Sequence, residues 1–180
     1  MKHIRKFILE SKSTVETEFE VLQSLHKHGL VDDSELVVYQ YMISGSIGDL
    51  DLSDTPIQSL PAYLHVGKDL YLRDTLIQSL PADLHVGGSL YLLGTPITSL
   101  PADLHVGGSL YLRGTRITEL PAGLHVGKDL YLQGTPIQSL PAYLHVDGDL
   151  YLLGTPIAKK NSSVQLKKMC PEVKGSIIII

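Results

Sequence analysis

Gly67-Lys68-Asp69-Leu70-Tyr71-Leu72-Arg73-Asp74-Thr75-Leu76-Ile77-Gln78-Ser79-Leu80-Pro81-Ala82-Asp83-Leu84-His85-Val86 is followed by three further versions of itself, starting at Gly87, Gly107 and Gly127. A first version opens near Gly48 with Asp49-Leu50-Asp51-Leu52, and a last one opens at Asp147 and loses the pattern after Ile157. Repetition at a fixed period of 20 residues points to stacked coils, each covering its neighbour's apolar face. Stacked coils place equivalent residues about 4.8 Å apart, the spacing of paired strands. Leu70 and Leu72 flank one residue, so a strand here turns both leucines inward. Ile77, Leu80, Leu84 and Val86 hold register in every version and complete six core positions per coil. One coil alone buries too little to offset the entropy of ordering its backbone, so stability must come from stacking.

The pattern Leu-x-Leu-x-x-Thr-x-Ile resembles the leucine-rich repeat core. The 20-residue period and the Leu-Pro pairs at Leu60, Leu80, Leu100, Leu120 and Leu140 look most like the short bacterial repeats of YopM- and IpaH-type effectors. Similar repeats occur in bacterial and bacteriophage proteins. The resemblance covers residues 48–157 and implies an α/β leucine-rich-repeat solenoid with β-rich coils and a parallel concave sheet. It departs from the family at Thr55, Thr75, Thr95, Thr115, Thr135 and Thr155, which stand where asparagine is usual. Their hydroxyls are expected to bond the neighbouring coil's backbone, through a turn helped by Gly94, Gly114, Gly134 and Gly154. The chain has no room for the ligase domain of IpaH-type proteins, so that activity is not carried over.

A tandem array of hairpins, with Gly-Gly turns inside Leu-His-Val-Gly-Gly-Ser-Leu-Tyr-Leu, competes with the solenoid. The constant register of Ile77, Leu80 and their equivalents favours the solenoid, with Leu-His-Val as a second short strand. Three regions follow: a helical N-terminal cap over 1–47, a six-coil solenoid over 48–157, and a C-terminal cap over 158–180. In the first, Ser13-x-x-Glu16 opens a helix ending near Gly29, and Asp32-x-x-Glu35 opens another ending near Gly45. In the last, Asn161 or Ser162 caps a helix running to Met169 before Pro171. Gly175-Ser176-Ile177-Ile178-Ile179-Ile180 reads as a strand, folded onto the last coil or docked on another chain in self-association or assembly.

Net charge is -4, unevenly spread, with five basic and eleven acidic side chains over 48–157. An acidic middle argues against nucleic acid, whose binding draws on Lys and Arg. No apolar run suits a signal peptide or a membrane span, which points to the cytoplasm or to a host cell in which the protein is produced or delivered. The single Cys170 requires no oxidising compartment and reads as a packed thiol.

Repetition aligns surface residues in columns. Between the strand leucines stand Asp51, Tyr71, Tyr91, Tyr111, Tyr131 and Tyr151. A tyrosine ladder offers broad amphipathic contact area, although tyrosines also pair across strands and stabilise sheets. Before it runs Asp49, Asp69, Ser89, Ser109, Asp129 and Asp149, read as an outward column; after it runs Ser53, Arg73, Leu93, Arg113, Gln133 and Leu153. Partner-binding residues are therefore expected at Arg73, Tyr71, Tyr91, Leu93, Tyr111, Arg113, Tyr131 and Tyr151. His65, His85, His105, His125 and His145 form a further column, read as a solvated stripe, since a straight row lacks the convergent, mixed geometry of a metal site. Ser, His and Asp recur in every coil through repetition alone, and neither a nucleophile elbow nor a phosphate loop is present. The sequence thus reads as a protein-binding module without catalytic residues, metal or cofactor, or alternatively as a structural subunit of an assembly such as a virion.

Overall fold

The computed structural model describes residues 48–179 together with Gln23, His26, Lys27, Asp33, Leu36, Val37, Val38 and Tyr41. The chain divides into two compact units, Met1–Ser46 and Ile47–Ile180. The eight described residues of the first unit are all helical, with Val38 and Tyr41 buried and His26 Nε2 3.2 Å from Asp33 Oδ1. The rest of the two helices expected there lies outside the described residues.

The second unit is a parallel-strand β-solenoid of about five coils. Each coil contributes two short strands, one to each of two sheets. The first sheet joins β1 (Leu50–Asp51), β3 (Leu70–Tyr71), β5 (Leu90–Tyr91), β7 (Leu110–Tyr111), β9 (Leu130–Tyr131), β11 (Leu150–Tyr151) and β12 (Ile177–Ile178). The second joins β2 (His65–Val66), β4 (His85–Val86), β6 (His105–Val106), β8 (His125–Val126) and β10 (His145–Val146). Every pairing between coils is parallel, with partners 20 residues apart, such as Leu90 with Leu110 and His85 with His105. Parallel pairing excludes the hairpin array and puts the His-Val of each Leu-His-Val in a second strand.

The expected core is buried at every position but Leu140, which is half-buried. Leu90, Leu92, Ile97, Leu100, Leu104 and Val106 of one coil are all at most 9% exposed. The two sheets thus share one narrow apolar interior. The backbone ladder runs beyond the two-residue strands: Leu70, Leu72 and Asp74 donate to the carbonyls of Ser89, Tyr91 and Leu93, each at 2.9 Å. On the histidine side the later coil donates to the earlier, as in Gly87 N to the Val66 carbonyl at 2.8 Å.

Glycine lets the inner coils close up at the corner between the sheets, where only the last coil carries a side chain, Asp147. A Cβ on Gly87, Gly107 or Gly127 would run into the carbonyl of the preceding coil. At the other corner Asp54, Asp74, Gly94, Gly114, Gly134 and Gly154 all adopt positive φ, and the following threonine closes the turn. The threonine hydroxyls correct the expectation for this column. Each donates to the leucine carbonyl three residues back in its own coil, as Thr115 Oγ1 does to Leu112 at 2.8 Å, and none reaches the neighbouring coil. The hydroxyl is too short to span the gap and instead satisfies the strand's last carbonyl.

After β11 the coil pattern gives way to helices. α1 (Pro156–Lys160) is capped by Thr155, and α2 (Ser163–Met169) by a Ser162–Gln165 capping box. Lys167 Nζ donates to the carbonyls of Val173 and Gly175, drawing the chain back towards the solenoid. β12 then pairs with β11, Ile177 beside Leu150 and Ile178 beside Tyr151, so the isoleucine run folds onto the last coil. Among the described residues no helix is long and apolar enough to cross a membrane.

Candidate functional site

The first sheet presents the tyrosine ladder. Register within the sheet sets the five phenols one above another, and their rings stack with centroids 4.4–4.5 Å apart and planes within 11° of parallel. All five are half-buried. Stacked rings cover one another's faces, so the ladder offers solvent its ring edges and hydroxyls. Tyr71 and Tyr131 hydroxyls donate to Asp69 and Asp129, each at 3.2 Å. Burial, then the nearby Tyr111 phenol, pushes the Tyr91 phenol up to about 12. Burial followed by Asp129 raises Tyr131 as well.

The column before the ladder does not point outward as expected. Its side chains turn along the sheet and accept the amide of the same column one coil on. Asp49 accepts from Asp69, Asp69 from Ser89, Ser89 from Ser109, Ser109 from Asp129, Asp129 from Asp149, and Asp149 from Ser176, at 2.7–3.3 Å. Ser109 is only 5% exposed. This polar ladder joins all the coils and extends into the C-terminal strand. Its residues look like surface polars in the sequence. The signal that marks them is their restriction to Asp and Ser, short side chains that accept a hydrogen bond.

The column after the ladder stays on the surface. Leu93 and Leu153 are 37% and 54% exposed. Arg73 Nε lies 2.8 Å from Asp74 Oδ2, whereas Arg113 is followed by Gly114 and makes no ion pair with any described residue. Arg73, Leu93, Arg113, Gln133 and Leu153 therefore line one flank of the tyrosines, with Arg113 the cation left uncompensated. Sequence reasoning missed Tyr63 and Tyr143, which are 70% and 82% exposed and adopt positive φ of 60° and 61°. Both precede the second-sheet strands, in a column that otherwise holds Asp83, Asp103 and Gly123. That variability was the available signal.

The second sheet presents the histidines, and their column is not uniform. His65, His85 and His105 stack, with centroids 5.3 and 4.4 Å apart and planes at 21° and 5°. No ring contact joins His105 to His125, and His125 meets His145 edge-on at 78°. Burial, then the charges of His105 and His65, lowers the His85 imidazole from its ordinary value. At the end of the column Asp147 Oδ1 lies 2.8 Å from His145 Nε2 and 2.6 Å from Lys174 Nζ, and Oδ2 lies 3.6 Å from His125 Nε2. Hydrogen bonds from Lys174 and then His145 hold the Asp147 carboxyl at about 2. The first three histidines keep a straight stacked row, whereas the last two converge with Asp147. Cys170 caps α2 in the interior, and burial raises its thiol.

No protein-family model matches the chain, and no curated protein is similar to it.

Proposed function

We propose that this chain is a leucine-rich-repeat-type protein-binding module, non-enzymatic, which engages another protein through the tyrosine-bearing sheet. The observation that carries the reading is the unbroken ladder of five half-buried tyrosines beside Leu93, Arg113 and Leu153. A preordered aromatic row loses little side-chain entropy on binding, and Tyr, Arg and exposed Leu together supply the apolar body and polar rim of an interface. The tyrosines are locked by stacking, so recognition falls to their edges and to the column beside them, where the coils differ. Likeness to the short bacterial repeats supports a bacterial or phage origin and an effector-like role in the cytoplasm or in a host cell.

Affinity capture with the intact chain and with Tyr91→Ala/Tyr111→Ala tests the reading. A protein retained by the intact chain and by His85→Ala, but lost by the tyrosine double variant while its circular dichroism is unchanged, is the expected result. Retention by the double variant would sink the reading.

One observation favours assembly as a second reading. β12 ends the strand order of the first sheet, and a strand from another molecule would extend the sheet there. Size-exclusion chromatography then shows a multimer that Ile179→Pro, which spares the bonds between β11 and β12, reduces to a monomer; a monomer at all concentrations would count against it.

A further inference from the structure

In the first four coils the corner before the glycine-lysine or glycine-glycine step is Gly67, Gly87, Gly107 and Gly127; in the last it is Asp147. This one exchange places a carboxylate between the two histidines whose rings have left the stack. One ring nitrogen of His125, one of His145 and a carboxylate oxygen of Asp147 all lie within 4.8 Å of one another. The side chains are 51%, 30% and 32% exposed, open enough for an ion to enter and shielded enough for it to be held. Among the described residues no other group of histidines, cysteines and carboxylates converges in this way.

We propose that His125, His145 and Asp147 bind one divalent transition-metal ion of the zinc class. Two imidazoles and one carboxylate suit zinc, nickel, copper or cobalt, whereas calcium and magnesium call for oxygen ligands. Donors around a tetrahedral ion with bonds of about 2.0–2.1 Å stand about 3.3 Å apart. Asp147 meets the two imidazoles through different oxygens, Oδ1 2.8 Å from His145 Nε2 and Oδ2 3.6 Å from His125 Nε2, so its carboxylate lies between the rings at about that distance. Glu172 supplies the outer contact such a site uses. Its Oε2 lies 3.6 Å from His145 Nδ1, close enough to orient the ring from outside once Nε2 ligates. With three protein ligands, the fourth position belongs to water or to a group on a partner. Lys174 is the competitor: its ammonium sits on Asp147 Oδ1, but the side chain is 62% exposed and can swing into solvent. The sequence column alone could not show this, because it needs both the ring rotation and the return of residues 172–174 beside β10.

Isothermal titration of zinc chloride into the full chain tests the site. One ion per chain is expected. Asp147→Gly restores the glycine of the other coils, and it and His145→Ala should each weaken binding by more than about tenfold, the scale on which even outer partners of metal-bound histidines matter. Lys174→Met should tighten binding, and His85→Ala should leave it unchanged. Absence of binding, or binding that survives Asp147→Gly or falls with His85→Ala, would overturn the proposal. Cobalt(II) added to the intact chain gives a readout independent of any variant's folding. An intense visible band from a four-coordinate ion supports the site, and the faint spectrum of the hydrated ion contradicts it.

Discussion

The two aromatic columns stand on equivalent two-residue strands, face away from the same core, and repeat every 20 residues, yet only one is regular to its end. The tyrosines stack without interruption from Tyr71 to Tyr151. The histidines stack for three coils and then break around Asp147. Beside the tyrosines a ladder of Asp and Ser side chains runs from coil to coil, fixing both the strands and the column they carry. Beside the histidines the corner is glycine, which lets the coils approach but holds no side chain in place. A uniform column with a variable flank suits a broad surface, and a column with one exception suits a point site.

The largest effect expected from testing this contrast is on the shared core. Leu110→Ala, beneath the tyrosines, should cost about 2–5 kcal/mol in denaturant unfolding, because a fully buried leucine leaves a cavity. Gly107→Ala, at the histidine-side corner, should cost about 1–3 kcal/mol through overpacking against the Gly87 carbonyl. A neutral Gly107→Ala would show that the corner is not held by close approach. Ser109→Ala removes the acceptor of the Asp129 amide and should cost about 1–3 kcal/mol, the penalty of an unpaired backbone donor. Ser79→Ala, outside the ladder, provides the control. A Ser109→Ala variant as stable as that control would mean that the ladder contributes nothing.

Smaller effects distinguish the faces by pH. Tyr91 is raised from 10.0 to about 12 in the folded chain, so its stabilising contribution is complete below pH 10 and lost as pH rises towards 12. His85 is lowered from 6.5, so the folded state takes up its proton less readily and stability falls as pH drops below 6.5. Asp147 is lowered from 3.8 to about 2; its contribution is present above pH 3.8 and is lost as pH falls towards 2. Amide protection, taken relative to the intrinsic exchange rate at each pH, should therefore fall first along the histidine strands in mild acid, then at Lys174 and Gly175 in stronger acid, and along the tyrosine strands only in alkali. Protection that falls equally on both faces at each pH would erase the distinction.

The apolar frame was legible because core residues recur at fixed positions: Leu-x-Leu, the isoleucine after threonine and Leu-His-Val all sit as their spacing implies. The C-terminal strand was legible too, since four isoleucines need cover. Polar side chains were harder to place, because one residue type serves several geometries. Ser109 reads as surface and is buried; Thr115 reads as a bond between coils and serves its own. The convergence on Asp147 depends on the edge-on turn between His125 and His145 and a chain reversal through residues 170–175, neither of which has a periodic signature. Tyr63 and Tyr143 escaped because attention to constant columns hides a variable one.

The most direct test of the account places a photo-crosslinking amino acid at Leu93, on the tyrosine face, and separately at His105, on the histidine face. A discrete adduct with one partner protein from position 93, absent from position 105 and lost with Tyr91→Ala/Tyr111→Ala, is the predicted result. Adducts of equal yield from both positions, or an adduct from position 105 alone, would contradict the assignment of binding to the tyrosine sheet.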